Sequence, residues 1–370
     1  MKAKLHEIII ITAFCGFLGV MCLGYLLLPK TDFSQTEKRF LAEVPELTWD
    51  RVASGKFGED VETYMADHIP GRDFFVGLNA YVELFTGRQT ADDILVTWDG
   101  RLVEAPVVWN PENAEKNMAK INAFAEKVGQ KVDLLLVPSA GWANRNEIAG
   151  PADPYTDEAI IESVYDLAGT SVRPLDLTAA FDNPMLYYRT DHHWTSEGAH
   201  RAYEGYMRLL GREYRGRDAF SVETVADFRG STYSRAALWL IPGEELELWT
   251  GSDNITVTNG ESEAIHEGIF YRERLEETDK YTVYLDGNHS MVRIHNPNNA
   301  GKGKLLVIRD SYSNCLGGFL AESYEEVVLV DLRYYRTALS QLCAAEDFTD
   351  ILVCYSLSNF MTDTNVVWLR

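Results

Sequence analysis

Two short stretches carry residue types that can do chemistry together. Thr190 to His200 reads TDHHWTSEGAH, and Arg309 to Asn314 reads RDSYSN. Asp191 and His193 are two positions apart. In an extended chain that spacing puts both side chains on one side. The carboxylate can then hold one imidazole nitrogen and leave the other free as a base, which is how a Ser-His-Asp triad is oriented. Ser311 lies 118 residues after His193 and directly follows an apolar run. A serine at a sharp strand-to-helix turn exposes its hydroxyl at a sheet edge, where backbone N–H groups at the helix start can stabilise an oxyanion. Each half also has a plainer use. Asp191 and the histidines can cap the following helix, and Asp310-Ser311 can form an N-cap pair. Two imidazoles and a carboxylate are also metal ligands. Against a metal, His192 and His193 are adjacent and normally point apart, His200 comes seven residues later, and no HExxH spacing occurs.

The elements that must place these groups are legible around them. Thr195 or Ser196 is a good N-cap, Ala199, Tyr203, Tyr206, Met207 and Leu210 recur at helical spacing, and Gly211 closes the helix. The spacing predicts a helix over 112–128, packing Met118, Ile121, Phe124 and Ala125, followed by a buried strand over 132–137 that ends at Pro138. The same alternation returns late. Apolar runs at 305–308, 327–330 and 351–355 are separated by helical stretches to about 322 and over 337–345. Strand, helix, strand, helix, strand predicts an α/β fold with a parallel sheet flanked by helices. Such sheets place ligands beyond the carboxyl ends of their strands, where Ser311, Tyr355 and Asn359 fall. Val61 to Phe85 has helical spacing broken near Pro70-Gly71, and Ile94 to Val103 with Asp99-Gly100 reads as a hairpin. Residues 221–300 alternate short β-like stretches with turns such as Pro242-Gly243 and Asp286-Gly287, and read as an antiparallel insertion.

Ile8 to Leu28 is uncharged for 21 residues. As a helix it would span about 31 Å, enough for a bilayer core. Lys2 and Lys4 precede it, which favours a cytoplasmic N-terminus. The expected organisation is a cytoplasmic tip and transmembrane signal anchor over 1–30, a juxtamembrane segment over 31–60, and an extracytoplasmic domain over 61–370. A cleaved signal peptide is the rival, with a usually shorter apolar region and an A-x-A-like site that this segment lacks. The net charge is −22. Lys2, Lys4 and Lys30 against Glu7 make the first thirty residues +2, so the remainder carries −24. A domain this acidic repels phosphate backbones, which argues against nucleic acid as a partner. Five cysteines without a CxxC pair are neither a disulfide framework nor a zinc pattern.

The DHHW stretch, the run LLVIRDSYSN and the preceding Gly287-Asn288-His289 resemble the DHHW protein family, which is similar to the SGNH-like alginate O-acetylation proteins. EKRFLAEVP at Glu37 to Pro45 extends the resemblance toward the N-terminus. It implies an SGNH-hydrolase-like fold in circularly permuted order, with Asp191 orienting, His193 as base and Ser311 as nucleophile. His192 falls at the variable middle position of the motif, and with Trp194 is expected to support the site. It further implies an O-acyltransferase or acyl esterase acting on a cell-envelope polysaccharide, without cofactor, supplied by a membrane-bound acyltransferase partner. Arg309 stands where SGNH hydrolases have glycine. The oxyanion donors are not set by motif, and Asn288, Asn314 and Asn359 are the candidates. Trp98, Trp109, Trp142, Trp194, Tyr187 and Tyr188 include rings that could stack on sugars, with Trp194 read as packing beneath the motif. A non-catalytic envelope glycan-binding or assembly protein and a metal-dependent hydrolase are the alternatives.

Overall fold

A computed structural model describes residues 2–34, 39–88, 90–91, 93–148, 154–260, 262 and 264–370. Glu37 and Lys38 of the EKRFLAEVP stretch lie outside the described residues. The chain divides into two units.

The first unit comprises residues 1–92 with 234–239. It opens with a helix over Lys2–Leu27, of which His6–Leu27 is long and apolar enough to cross a membrane. Helices Lys56–Asp67 and Arg72–Phe85 follow, separated at Pro70-Gly71 as the sequence predicts. Gly71 takes a φ of 71°, a left-handed conformation that suits glycine. Asp67 is buried and receives the Arg39 guanidinium and the Ala42 N–H. Those bonds hold its carboxyl down at about 2, against the opposing effect of burial.

The second unit, 93–233 with 240–370, holds an eight-stranded sheet. Its strands in chain order are β1 (Val132–Val137), β2 (Val172–Pro174), β3 (Thr256–Asn259), β4 (His266–Glu267), β5 (Met291–His295), β6 (Lys304–Arg309), β7 (Glu326–Val330) and β8 (Asp350–Ser356). They lie in the order β4-β3-β5-β7-β6-β8-β1-β2. The run β7-β6-β8-β1-β2 is parallel. β5, β3 and β4 extend it antiparallel, so part of the 221–300 region completes the central sheet. The other strands of that region, Ser221–Phe228 and Glu244–Thr250, pair with each other.

The near-continuous apolar runs follow from burial on both faces. Leu135, Val137, Leu305, Val307, Leu352 and Cys354 face one core layer, which they share with Trp194, Tyr203 and Tyr206. Leu134, Leu136, Leu306, Ile308, Ile351 and Val353 alternate into the other, against Met118, Ile121 and Phe124 of the helix Pro111–Val128. That helix starts on Asn110, whose side chain accepts from the Asn113 N–H, and ends on left-handed Gly129. Because the strands are parallel, Val137, Arg309 and Ser356 end at one edge. Val137 pairs with Ser356, and Arg309 with Cys354. The connections leaving that edge carry Ser139, Ser311 and Asn359.

Candidate active site

The DHHW residues occupy a tight loop rather than an extended strand. Tyr187 and Trp194 bridge antiparallel across its base, and the Tyr188 N–H bonds the His193 carbonyl at 3.2 Å. The helix Ser196–Leu210 follows, with Thr195 as N-cap and Gly211 at its end. Its buried face is Ala199, Tyr203, Tyr206 and Met207, as the periodicity predicts. The turn is what brings Asp191 onto His193. Asp191 Oδ1 accepts both the His193 backbone N–H, at 2.9 Å, and His193 Nδ1, at 2.5 Å. His193 Nε2 lies 2.8 Å from Ser311 Oγ. The three residues proposed from the sequence therefore meet in one hydrogen-bonded chain. An imidazole held at Nδ1 by a carboxylate and facing a serine hydroxyl with Nε2 can take that hydroxyl's proton as the oxygen attacks a carbonyl.

Residues that sequence reasoning missed complete the setting. Ser231 donates to Asp191 Oδ2 with its N–H at 2.6 Å and its hydroxyl at 2.9 Å. The carboxylate thus accepts four hydrogen bonds, its full capacity. Burial alone would raise its pKa, but the electrostatic pull of the His193 and His192 imidazoles together with these bonds outweighs burial and holds it well below the usual range. Gly230 packs so tightly on Asp191 that a Cβ there would overlap its side chain. Glu244 fixes the entry to the loop by accepting the Arg189 N–H at 2.8 Å, the Thr190 N–H at 2.7 Å and the Thr190 hydroxyl at 2.6 Å. Burial pushes the Glu244 pKa up despite these bonds. Tyr281 stacks on the His193 ring, with centroids 3.9 Å apart and planes 8° from parallel, which restricts ring rotation. None of these positions lies in a local pattern that the sequence displays.

The serine turn is pinned as firmly. Asp310 Oδ1 accepts the Tyr312 N–H, while Oδ2 accepts the Ser356 N–H, the Ser356 hydroxyl and the Asn359 amide, all at 2.8–3.0 Å. It ties the end of β6 to the end of β8. Trp194 is fully buried, its Nε1 donates to the Tyr312 carbonyl at 3.0 Å, and the Tyr312 hydroxyl donates to the His192 carbonyl. These two bonds bracket the Ser311–His193 contact. Arg309 is wholly buried and donates to Asn288 and Asn314. Burial draws its pKa down to about 10, with Asp331 opposing.

The three asparagines differ in what they have left to offer. The Asn314 amide donates to Asn288 Oδ1 and the Asn359 amide to Asp310. Asn288 accepts from both Arg309 and Asn314, and its own amide nitrogen has no partner among the described residues. The Ser311 backbone N–H is likewise without a partner there. His192 departs from the expectation that adjacent histidines point apart, because its ring lies against His193 with centroids 3.9 Å apart. Asp191, His192 and His193 therefore each place a possible ligand atom within 4.8 Å of the others. An ion there would have to displace the bonds that His193 makes to Asp191 or Ser311, or that His192 makes to Ser231. Of the aromatic rings noted in the sequence, Trp142, Trp194, Tyr187 and Tyr188 are buried core, and Trp98 and Trp109 are exposed.

Comparison with known proteins agrees with the resemblance read in the sequence. The model of the DHHW protein family matches residues 168–330, which hold both the loop and Ser311. No curated protein matches the chain. Among solved structures, a DHHW family protein from Eubacterium siraeum is similar with a TM-score of 0.64 at 22% identity, covering 76% of this chain and 95% of that one. Bacillus cereus PatB1 with a sulfonyl adduct has a TM-score of 0.63 at 21% identity, covering 75% and 98%. The O-acetyltransferase domain of Pseudomonas putida AlgJ has a TM-score of 0.43 at 14% identity, covering 73% and 92%. At these identities the likeness to the first two is one of fold, a mostly parallel sheet flanked by helices.

Proposed function

We propose that this chain is a membrane-anchored, SGNH-like O-acyltransferase or acyl esterase acting on a cell-envelope polysaccharide. The single observation that carries the reading is the continuous chain Asp191–His193–Ser311, at 2.5 and 2.8 Å. Ser311 Oγ attacks the carbonyl carbon of an acyl ester while its proton passes to His193 Nε2. Asp191 holds the imidazole and stabilises the imidazolium that forms. The oxyanion is received by the Ser311 N–H and the Asn288 amide, neither of which donates to any other group among the described residues. Collapse expels the donor alcohol, which takes the proton from His193, and leaves an acyl ester on Ser311. A sugar hydroxyl or water then reverses the steps. Asn314 and Asn359 each commit one amide N–H within the turn, to Asn288 and Asp310, and act in positioning it.

The polysaccharide substrate and a membrane-bound acyl supplier come from the resemblance to the alginate O-acetylation proteins. The apolar helix His6–Leu27 supports anchoring, and a signal sequence passes the same test of length and composition. Because the PatB1 structure carries a sulfonyl adduct, a sulfonyl fluoride is a suitable first probe. Labelling of the full chain should map to Ser311 and be lost in Ser311→Ala. Labelling of a different residue, or none in folded protein, would refute the nucleophile assignment.

A further inference from the structure

Acyl transfer through Ser311 and His193 leaves His192 without a task. Its Nδ1 lies 2.5 Å from Ser231 Oγ, and the same hydroxyl donates to Asp191 Oδ2 at 2.9 Å. A serine hydroxyl has one proton, and an ionised carboxylate can only accept. The Ser231 proton therefore goes to Asp191, and His192 Nδ1 must carry the N–H that Ser231 Oγ accepts. In neutral imidazole this leaves the lone pair on Nε2. Burial and the neighbouring His193 push the His192 pKa down, which favours that neutral form. No protein group among the described residues bonds Nε2. His192 lines a cleft of about 80 Å³ with Glu104, Ser139, Tyr312, Ser358 and Asn359, and Tyr312 is the residue that follows Ser311 in the chain.

We propose that this cleft receives the acyl acceptor, and that His192 Nε2 selects acceptors carrying a second hydroxyl beside the one that is acylated. This rests on the acyl-enzyme reading above. In deacylation the acceptor oxygen attacks the acyl carbon, its proton passes to His193 Nε2, the bond from that carbon to Ser311 Oγ breaks, and Oγ takes the proton back. The attacking hydroxyl has only that proton, and His193 receives it. A hydrogen bond to His192 must come from another hydroxyl of the same molecule. The acceptor class is therefore a vicinal diol, as a sugar ring presents, rather than water or a simple alcohol.

The test uses the full chain in detergent with p-nitrophenyl acetate as donor. trans-Cyclohexane-1,2-diol and cyclohexanol compete as acceptors at equal concentration, and the two monoesters are quantified. The expected wild-type preference for the diol is about fivefold beyond its statistical factor of two, the reach of one net hydrogen bond. His192→Phe should bring the ratio to the statistical value. His192→Gln, whose amide oxygen can accept, should retain part of the preference. Ser231→Ala, which releases Nδ1, should lower it. The ratio is internal to each sample, so a general loss of activity does not move it. If the Phe variant does not fold, the Gln and Ser231→Ala variants carry the same comparison. Acetylation of Ser311 without a diol preference, or a preference that survives in His192→Phe, would overturn the inference alone. Absence of any acetylation in the wild type would defeat the acyl-enzyme reading, and the inference with it.

Discussion

At the scale of residues, the site is organised around one carboxylate. Asp191 gives two acceptor positions to His193 and two to Ser231, so the proposed base and the residue that supports it share an anchor. Asp191→Asn replaces an acceptor-only group with an amide that must donate somewhere. It should lower the acylation rate with an activated ester by roughly three to four orders of magnitude, the range for a triad left in the wrong tautomer, with the fold retained by circular dichroism. Ser231→Ala removes one charge-assisted bond and leaves the backbone donor. A loss of about tenfold to a hundredfold is expected from the worth of such bonds, read as a fall in kcat/KM. Asp191, His193 and Ser311 were legible because their types announce their chemistry. Ser231 and Glu244 were not. They reach the loop from 40 and 54 residues away, and a serine and a glutamate in a turn-rich region look like many others. His192 was misjudged because an extended chain separates adjacent side chains, whereas this loop turns and stacks them.

At the scale of elements, the parallel strands carry the chemistry to one edge. Their runs were readable because burial on both faces demands unbroken apolar sequence, and the helices because one face repeats. The loop closed by Tyr187 and Trp194 was not readable, since its shape is set by cross-bonds to Tyr312, Ser231 and Glu244. Gly230 shows how little room that loop has. Gly230→Ala should displace Asp191 and cost about a hundredfold or more in acylation, with a far smaller change in the thermal midpoint. Elsewhere the sheet is tied by ions. Glu346 receives Arg293 of β5 and Lys304 of β6, and those partners hold its carboxyl down at about 2 from 4.5 against the opposing effect of burial. A depressed carboxyl stabilises the fold fully above its unfolded pKa, and that contribution fades as pH falls toward the folded one. Glu346→Gln should therefore cost about 1 kcal/mol at neutral pH. The gap to wild type should narrow between about pH 4.5 and pH 2 in denaturant titrations.

At the scale of the whole molecule, an apolar helix precedes a strongly acidic chain. That charge opposes binding to anionic surfaces, so membrane association should depend on the helix. The full chain should sediment with membranes and resist extraction by high salt, while residues 31–370 should be recovered in the soluble fraction. Recovery of both forms with membranes would contradict an anchor at the N-terminus. The fold class was within reach of the sequence because strand and helix order constrain it. In the proposed reaction Ser311 becomes an acyl ester. Full-length protein mixed with an activated acetyl ester, quenched early and analysed by peptide mass spectrometry, tests it most directly. One acetyl group should appear on the peptide holding Ser311, absent from Ser311→Ala and discharged by a polyol acceptor. Ester turnover that persists undiminished in Ser311→Ala would contradict it.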